Sequence, residues 1–282
     1  MAAWKEIVSE LKEAKTIEEK CLLIKRLGER KETNAMDSLI SLLKNEENNT
    51  IKSFATDAII KIGGKKATIK AIKLLRNPSW VTRMKAAEIL GELGNRLAVL
   101  PLIRVLRSDT EPNVKEWAAI ALGKIKDKRA CKALVNSLRT EESWQIRMEA
   151  AIALGAIQNK QVLEDLVNAY YNDPDIRVRW AAATAQAKID KQNSSRLVEE
   201  LRNELLNVLK EEKDETILCA AAKALGEIGD VSVLNQMINT MKISKEMVRL
   251  ELNVAVNKIV KKHNVKNQEE LLKNNNNLIK KP

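Results

Sequence analysis

A repeat of 32 residues constrains the fold of this 282-residue chain more than any other feature. Three segments, residues 83–91, 115–123 and 147–155, align without gaps, and each runs from a basic residue to a glycine. The same register extends to eight positions, although the glycine is not kept at all of them: Gly28, Ile60, Gly91, Gly123, Gly155, Ala187, Gly226 and Asn257. A period of this length indicates stacked units that bury a continuous core only together, rather than two separate globular domains.

Each copy of the repeat predicts two helices. An alanine-rich segment before the glycine places its apolar residues on one face of a helix, and the segment after it carries apolar residues at intervals of four, as in Ala98, Leu102 and Leu106. Aromatic residues make up only 3% of the chain and glycines number nine, which disfavours a β-sandwich or β-barrel. We therefore expect an all-α superhelix of about eight two-helix repeats over residues 1–260, followed by a polar Asn- and Lys-rich tail at 261–282.

One step of the register is longer than the others, with 39 residues between Ala187 and Gly226. The extra residues lie around 190–196, and leucines follow at positions 197, 201, 205 and 209. This spacing predicts a lengthened helix rather than only a longer loop, because it keeps one apolar face.

The pattern Arg/Lys-x-x-Ala-Ala-x-x-Leu-Gly-x-Ile, clearest at residues 83–157, resembles HEAT-like repeats of the phycobilisome-lyase type. The resemblance extends over roughly residues 16–259 and is weakest in the first, second and last copies. It implies an α-α superhelix in which the second helices line a concave face.

A basic residue occupies the position eight before the glycine in seven of the eight copies. In the middle copies an acidic or amide residue lies six positions earlier: Glu46, Asn77, Asp109, Glu141 and Asp173. A nucleic-acid-binding protein could use such a cationic column. The accompanying acids favour a ladder between repeats that caps the helices and fixes their stacking.

The net charge of +11 is local, because residues 51–110 carry 12 basic and 4 acidic side chains. The densest basic run consists of Lys61, Lys65, Lys66, Lys70, Lys73 and Arg76. It is either an ordinary solvated helix face or a dock for an acidic partner, which could be a protein surface or a nucleic acid. Aromatic residues for base stacking only flank the run, at Phe54 and Trp80, which disfavours nucleic acid.

Positions seven and three before the glycine are expected to face outward on the concave side. In repeats three to six these positions and one neighbour supply an apolar row: Met84, Trp117, Ile120, Met148, Ile152 and Trp180. An exposed apolar patch of this kind marks an interaction site, and Trp is favoured at interfaces. Alternatively, the curvature of the superhelix buries these residues between adjacent helices.

Catalytic and metal-binding motifs are scarce in the sequence. The one histidine, His263, has no Cys or carboxylate partner at metal spacing, and no GxxxxGK[ST] or GxGxxG motif occurs. Among HEAT-like enzymes, the deoxyhypusine hydroxylase needs paired His-Glu motifs, which are absent. No residue marks a pigment-binding role of the kind that bilin lyases have. Trp117, Arg147 and Trp180 could imitate the cluster of HEAT-like DNA glycosylases, but no characteristic motif accompanies them.

These observations predict a non-enzymatic protein-interaction scaffold, adaptor or assembly factor that binds another protein, one with an acidic surface. The alternative is a nucleic-acid-associated protein that uses the basic second and third repeats, and a lyase or glycosylase is a third possibility. We expect no cofactor, no small-molecule substrate and no membrane partner, since no apolar run approaches the ~18 residues that span a bilayer. The N-terminus lacks the pattern of a secretory signal, which favours a cytoplasmic protein.

Overall fold

The computed structural model describes residues 3–263, which contain sixteen α-helices in eight consecutive pairs and no strand. The first helices of the pairs are α1 Ala3–Glu13, α3 Met36–Asn45, α5 Gly64–Leu74, α7 Val99–Ser108, α9 Cys131–Thr140, α11 Leu163–Asn172, α13 Ser195–Glu211 and α15 Leu234–Ile243. The second helices are α2 Ile17–Glu29, α4 Asn49–Ile62, α6 Trp80–Leu93, α8 Pro112–Ile125, α10 Trp144–Ile157, α12 Ile176–Ile189, α14 Glu215–Ile228 and α16 Glu246–Lys262.

The chain divides into two compact units, residues 1–157 and residues 158–282. In the first unit, helices α2, α4, α6, α8 and α10 pack side by side in chain order, and each also packs against the first helix of its own pair. In the second unit, α12, α14 and α16 pack in the same way. The apolar faces of the helices form the core of each unit between its two layers of helices.

Polar residues start several second helices. The side chains of Asn48, Ser79 and Asp214 accept hydrogen bonds from backbone N–H groups in the first turns of α4, α6 and α14. Pro112 lies in the first turn of α8, where its missing N–H costs no helical hydrogen bond. These local signals set where each second helix begins.

The repeated glycine lets successive second helices approach each other closely. A Cβ atom added to Gly91 would lie 2.9 Å from the Cα atom of Ala121 on the next second helix, and one added to Gly123 would lie 2.9 Å from the Cα atom of Ala153. No real Cβ tolerates backbone at that distance, so a larger residue would push the helices apart. Ile60 takes the glycine position in α4, and the contact between α4 and α6 is accordingly less extensive than that between α6 and α8.

The predictions made for the fold class are confirmed. The described residues form an all-α array of eight two-helix repeats, and the register positions fall near the ends of the second helices. The longer step is also a longer helix, since α13 has 17 residues whereas α11 and α15 have 10 each. The predicted tail at 261–282 lies outside the described residues, apart from the end of α16 and His263, which follows it.

Candidate functional site

The basic column forms the expected ladder between successive repeats. Arg83 on α6 donates from Nε to Oδ2 of Asp109, at 2.7 Å, and from Nη2 to Oδ1, at 2.8 Å. Its Nη1 atom donates to the backbone carbonyls of Asn77 and Pro78 just before α6. Burial alone would raise the pKa of Asp109, but the hydrogen bonds from Arg83 and from the N–H of Glu111 outweigh it and lower that pKa.

Two further rungs of the ladder lie in the same unit. Lys20 contacts Glu46 at 3.3 Å, and Lys115 contacts Glu141 at 2.9 Å. In each rung the acid lies at the end of a first helix and the cation on the preceding second helix. These cations stabilise the stacking of repeats, which favours the structural interpretation of the column over a nucleic-acid stripe.

A second charge ladder is formed by the residues that directly follow the register positions. Sequence reasoning missed it. Lys124 on α8 pairs with Glu92 on α6, and in the other unit Glu227 on α14 pairs with Lys188 and Lys258 from its two neighbouring second helices. Burial would raise the pKa of Glu227, but hydrogen bonds from both lysines lower it. The signal was present in the sequence, because the sign of the charge alternates at this position along most of the chain.

The predicted apolar row lies on three adjacent second helices of the first unit. Met84, Trp117, Ile120 and Met148 are half-buried, and Ile152 is 38% exposed. Helix α8 packs against both α6 and α10, so the five residues lie on adjacent helices. We call these five residues the apolar patch.

Trp180 does not belong to an exposed surface, and its prediction as a partner-binding residue is wrong. Its side chain is only 1% exposed and lies in the core of the second unit with Leu201 and Leu205. The indole Nε1–H donates to Oε1 of Glu204 on α13 at 2.8 Å. Helix α13 covers this position in the second unit, whereas Met84 and Met148, at the same register position in the first unit, stay half-buried.

The predicted basic run lies mainly on and after α5, in the layer of first helices, so it does not join the apolar patch. Lys70 is half-buried and the other five side chains are exposed: Lys61, Lys65, Lys66, Lys73 and Arg76. Lys66 and Lys70 both pair with Asp37 on α3. The hydrogen bond from Lys70 is the main reason that the pKa of Asp37 is lowered. Two of the six cations therefore already have an acidic partner within the chain.

A metal site and a membrane span are both absent from the described part of the chain. Between residues 3 and 263, no group of three or more His, Cys, Asp or Glu side chains is placed to hold a metal ion. Over the same stretch, none of the helices is both long enough and apolar enough to span a membrane.

Comparison with known families is decisive for the repeat. A family model described as HEAT repeats matches residues 68–151 and, in an overlapping second match, residues 132–204. Residues 68–204 therefore carry HEAT repeats. The resemblance seen in the residue pattern is thus confirmed, and the matched region contains the whole apolar patch. No curated protein matches the chain.

Three solved structures are similar to the chain. The CpcE–CpcF complex of phycocyanin lyase from Nostoc sp. PCC7120 is 21% identical, with 90% of this chain and 94% of that chain covered and a TM-score of 0.49. Human deoxyhypusine hydroxylase is 17% identical, with 83% and 99% covered and a TM-score of 0.42. Kap95p, in a structure with RanGDP, is 11% identical, with 92% and 42% covered and a TM-score of 0.51. At these identities the likeness concerns the fold alone.

Proposed function

We propose that this HEAT-repeat protein is a non-enzymatic interaction scaffold, adaptor or assembly factor, and that its protein partner binds the apolar patch on α6, α8 and α10. The observation that carries the proposal is the partial exposure of five apolar side chains, one of them tryptophan, on three adjacent helices. HEAT-repeat proteins as a class bind other proteins. Tryptophan and methionine are enriched at such interfaces, which supports this use of the patch.

The burial of the patch and the charges near it support this role. Four of its five members are half-buried, so their rotamers are partly fixed by neighbouring helices before a partner arrives, which lowers the entropic cost of binding. Paired charges lie on the same helices, including Lys85 with Glu88 on α6 at 2.9 Å and Lys124 on α8 with Glu92 on α6. An apolar centre with a polar rim is the usual arrangement of a protein–protein interface.

Crosslinking from within the patch tests this proposal. A photoreactive amino acid placed at Ile120 should crosslink one protein in the native cell, and mass spectrometry would identify it. The same amino acid at Leu22, which is 59% exposed on α2, is the control and should not crosslink that protein. Equal crosslinking from both positions, or none from Ile120, would count against the patch.

A second candidate function is association with nucleic acid through the basic run. It is supported by the exposure of Lys61, Lys65, Lys73 and Arg76. The pairing of Lys66 and Lys70 with Asp37 weakens it, because these two lysines would have to exchange a partner that they already have. Binding of a labelled oligonucleotide at several salt concentrations tests it, since phosphate contacts make the affinity fall steeply as salt rises.

A further inference from the structure

A groove of about 490 Å³ lies between α5 and α7, in the layer of first helices of the first unit. Its apolar lining comes from both helices and the turn after α5: Ile72, Leu75, Pro101 and Val105. Three cationic side chains also line it, Lys73 and Arg76 from the α5 side and Arg104 from α7, and all three are exposed. An apolar floor with a cationic border is thus formed by residues about thirty positions apart in the sequence.

The positive charge of this groove is not neutralised within the chain. Across residues 3–263, no ion pair is formed by Lys73, Arg76 or Arg104. The one carboxylate in the lining, Asp109, is held by Arg83 through two hydrogen bonds, so its charge is already balanced. Three cations therefore remain for an anionic ligand.

The corresponding groove two repeats earlier does not have this excess of positive charge. It lies between α1 and α3, has a volume of about 550 Å³ and contains Lys12 and Lys20 together with Asp37 and Glu46. Lys20 pairs with Glu46, and Asp37 pairs with lysines of α5, so cations and carboxylates balance. Ser41 takes the place there that Arg104 has in α7. The groove between α1 and α3 therefore lacks the excess of positive charge that the groove between α5 and α7 has.

We propose that the groove between α5 and α7 binds an acidic peptide segment of a protein partner, with an apolar side chain on its floor and carboxylates against Arg76, Arg104 and Lys73. This rests on the proposed function in that the partner is a protein, and it identifies a second contact with that partner. Arginine suits this role because its planar guanidinium donates two parallel hydrogen bonds to a carboxylate. A peptide fits better than nucleic acid, since none of the lining residues is aromatic and the floor offers apolar contact instead of base stacking.

Peptide binding by the full chain tests the proposal. The probe is a short fluorescent peptide of glutamates with a leucine at every fourth position, and a peptide with lysine in place of glutamate is the control probe. The acidic peptide should bind with an affinity that falls as salt rises, and the basic peptide should not bind. In the double variant Arg76→Glu and Arg104→Glu, affinity should fall by roughly tenfold or more. Both residues are exposed, so circular dichroism should show an intact helical fold.

A matched variant locates the effect in this groove. Lys12→Glu, in the corresponding groove between α1 and α3, should leave the affinity within about twofold of the wild type. Equal losses in both variants, or an unchanged affinity in the double variant, would overturn the proposal. So would an oligonucleotide or inorganic phosphate that displaces the acidic peptide at equal or lower concentration. Failure of the apolar patch is a separate result, because it is measured by crosslinking from Ile120 and not with this peptide.

Discussion

Arg83 and Asp109 join the third helical pair to the fourth through two parallel hydrogen bonds, of 2.7 and 2.8 Å, between side chains that are only 14% and 7% exposed. This ion pair costs more to break than one on the surface, because little solvent reaches the carboxylate of Asp109 to replace its partner. The pair therefore fixes the stacking of two repeats, and its carboxylate, Asp109, also lines the groove between α5 and α7.

Replacing Arg83 with methionine should lower the free energy of unfolding by about 2–3 kcal/mol, because it leaves the charge of Asp109 largely buried and unpaired. Urea denaturation measures the change. Lys25→Met is the control, since Lys25 and Glu29 are about half exposed and such pairs contribute under about 0.5 kcal/mol. If the two variants lose the same stability, the ladder does not hold the repeats together.

Gly91→Ala separates helix propensity from packing. Inside a helix this change usually stabilises by about 1 kcal/mol, because glycine costs backbone entropy. Here the added Cβ would lie 2.9 Å from the Cα atom of Ala121, so we expect a net loss of about 1–3 kcal/mol in thermal or urea unfolding. A gain in stability would show that α6 and α8 are not held in this close contact.

Protonation of Asp127, in the turn before α9, should lower the free energy of unfolding at acid pH. Hydrogen bonds from the side chain and backbone N–H of Arg129 lower the pKa of Asp127 to about 2, below its unfolded value of about 3.9. The charged form is thus favoured by folding, so its contribution is complete above about pH 4 and is lost as the pH falls toward about 2.

Asp127→Asn removes that charge but keeps an oxygen that can accept from the N–H of Arg129. The difference in unfolding free energy between wild type and variant should be largest near pH 5 and should shrink below about pH 3. A difference that stays constant over this range would show that the ion pair does not stabilise the fold.

Trp180→Ala should lower the free energy of unfolding. The side chain is 1% exposed and its indole donates to Glu204, so truncation should cost about 3–5 kcal/mol in urea unfolding. Trp80→Ala is the matched control, because Trp80 is 40% exposed and should lose less than about 1 kcal/mol. Similar losses in both variants would contradict the assignment of Trp180 to the core.

The sequence predicted those features that depend on the same residue type recurring at the same position in successive repeats. The glycine register predicted the eight helical pairs because each glycine is needed for the same close approach, and the basic column predicted rungs such as Arg83 with Asp109. The exposure of Trp180 was predicted wrongly, because the lengthened helix α13 covers its side chain and Glu204 of that helix accepts from its indole.

The groove between α5 and α7 was beyond sequence reasoning for a different reason. Lys73 and Arg76 belong to a visible basic run. Arg104 lies about thirty residues later, and no pattern in the sequence links it to that run. Only the packing of the first helices brings these cations to one place. Conversely, it also pairs Lys66 and Lys70 with Asp37, which removes them from the predicted dock.

The most direct test of the proposed function is the dissociation constant for the protein identified by crosslinking from Ile120, measured with purified components. The variants are Trp117→Ala and Ile152→Glu. Leu22→Glu is the control, because Leu22 lies at the register position that Trp117 occupies three repeats later. We expect each patch variant to weaken binding by roughly tenfold or more and the control to change it by less than about twofold. Unchanged binding by correctly folded patch variants would contradict the account.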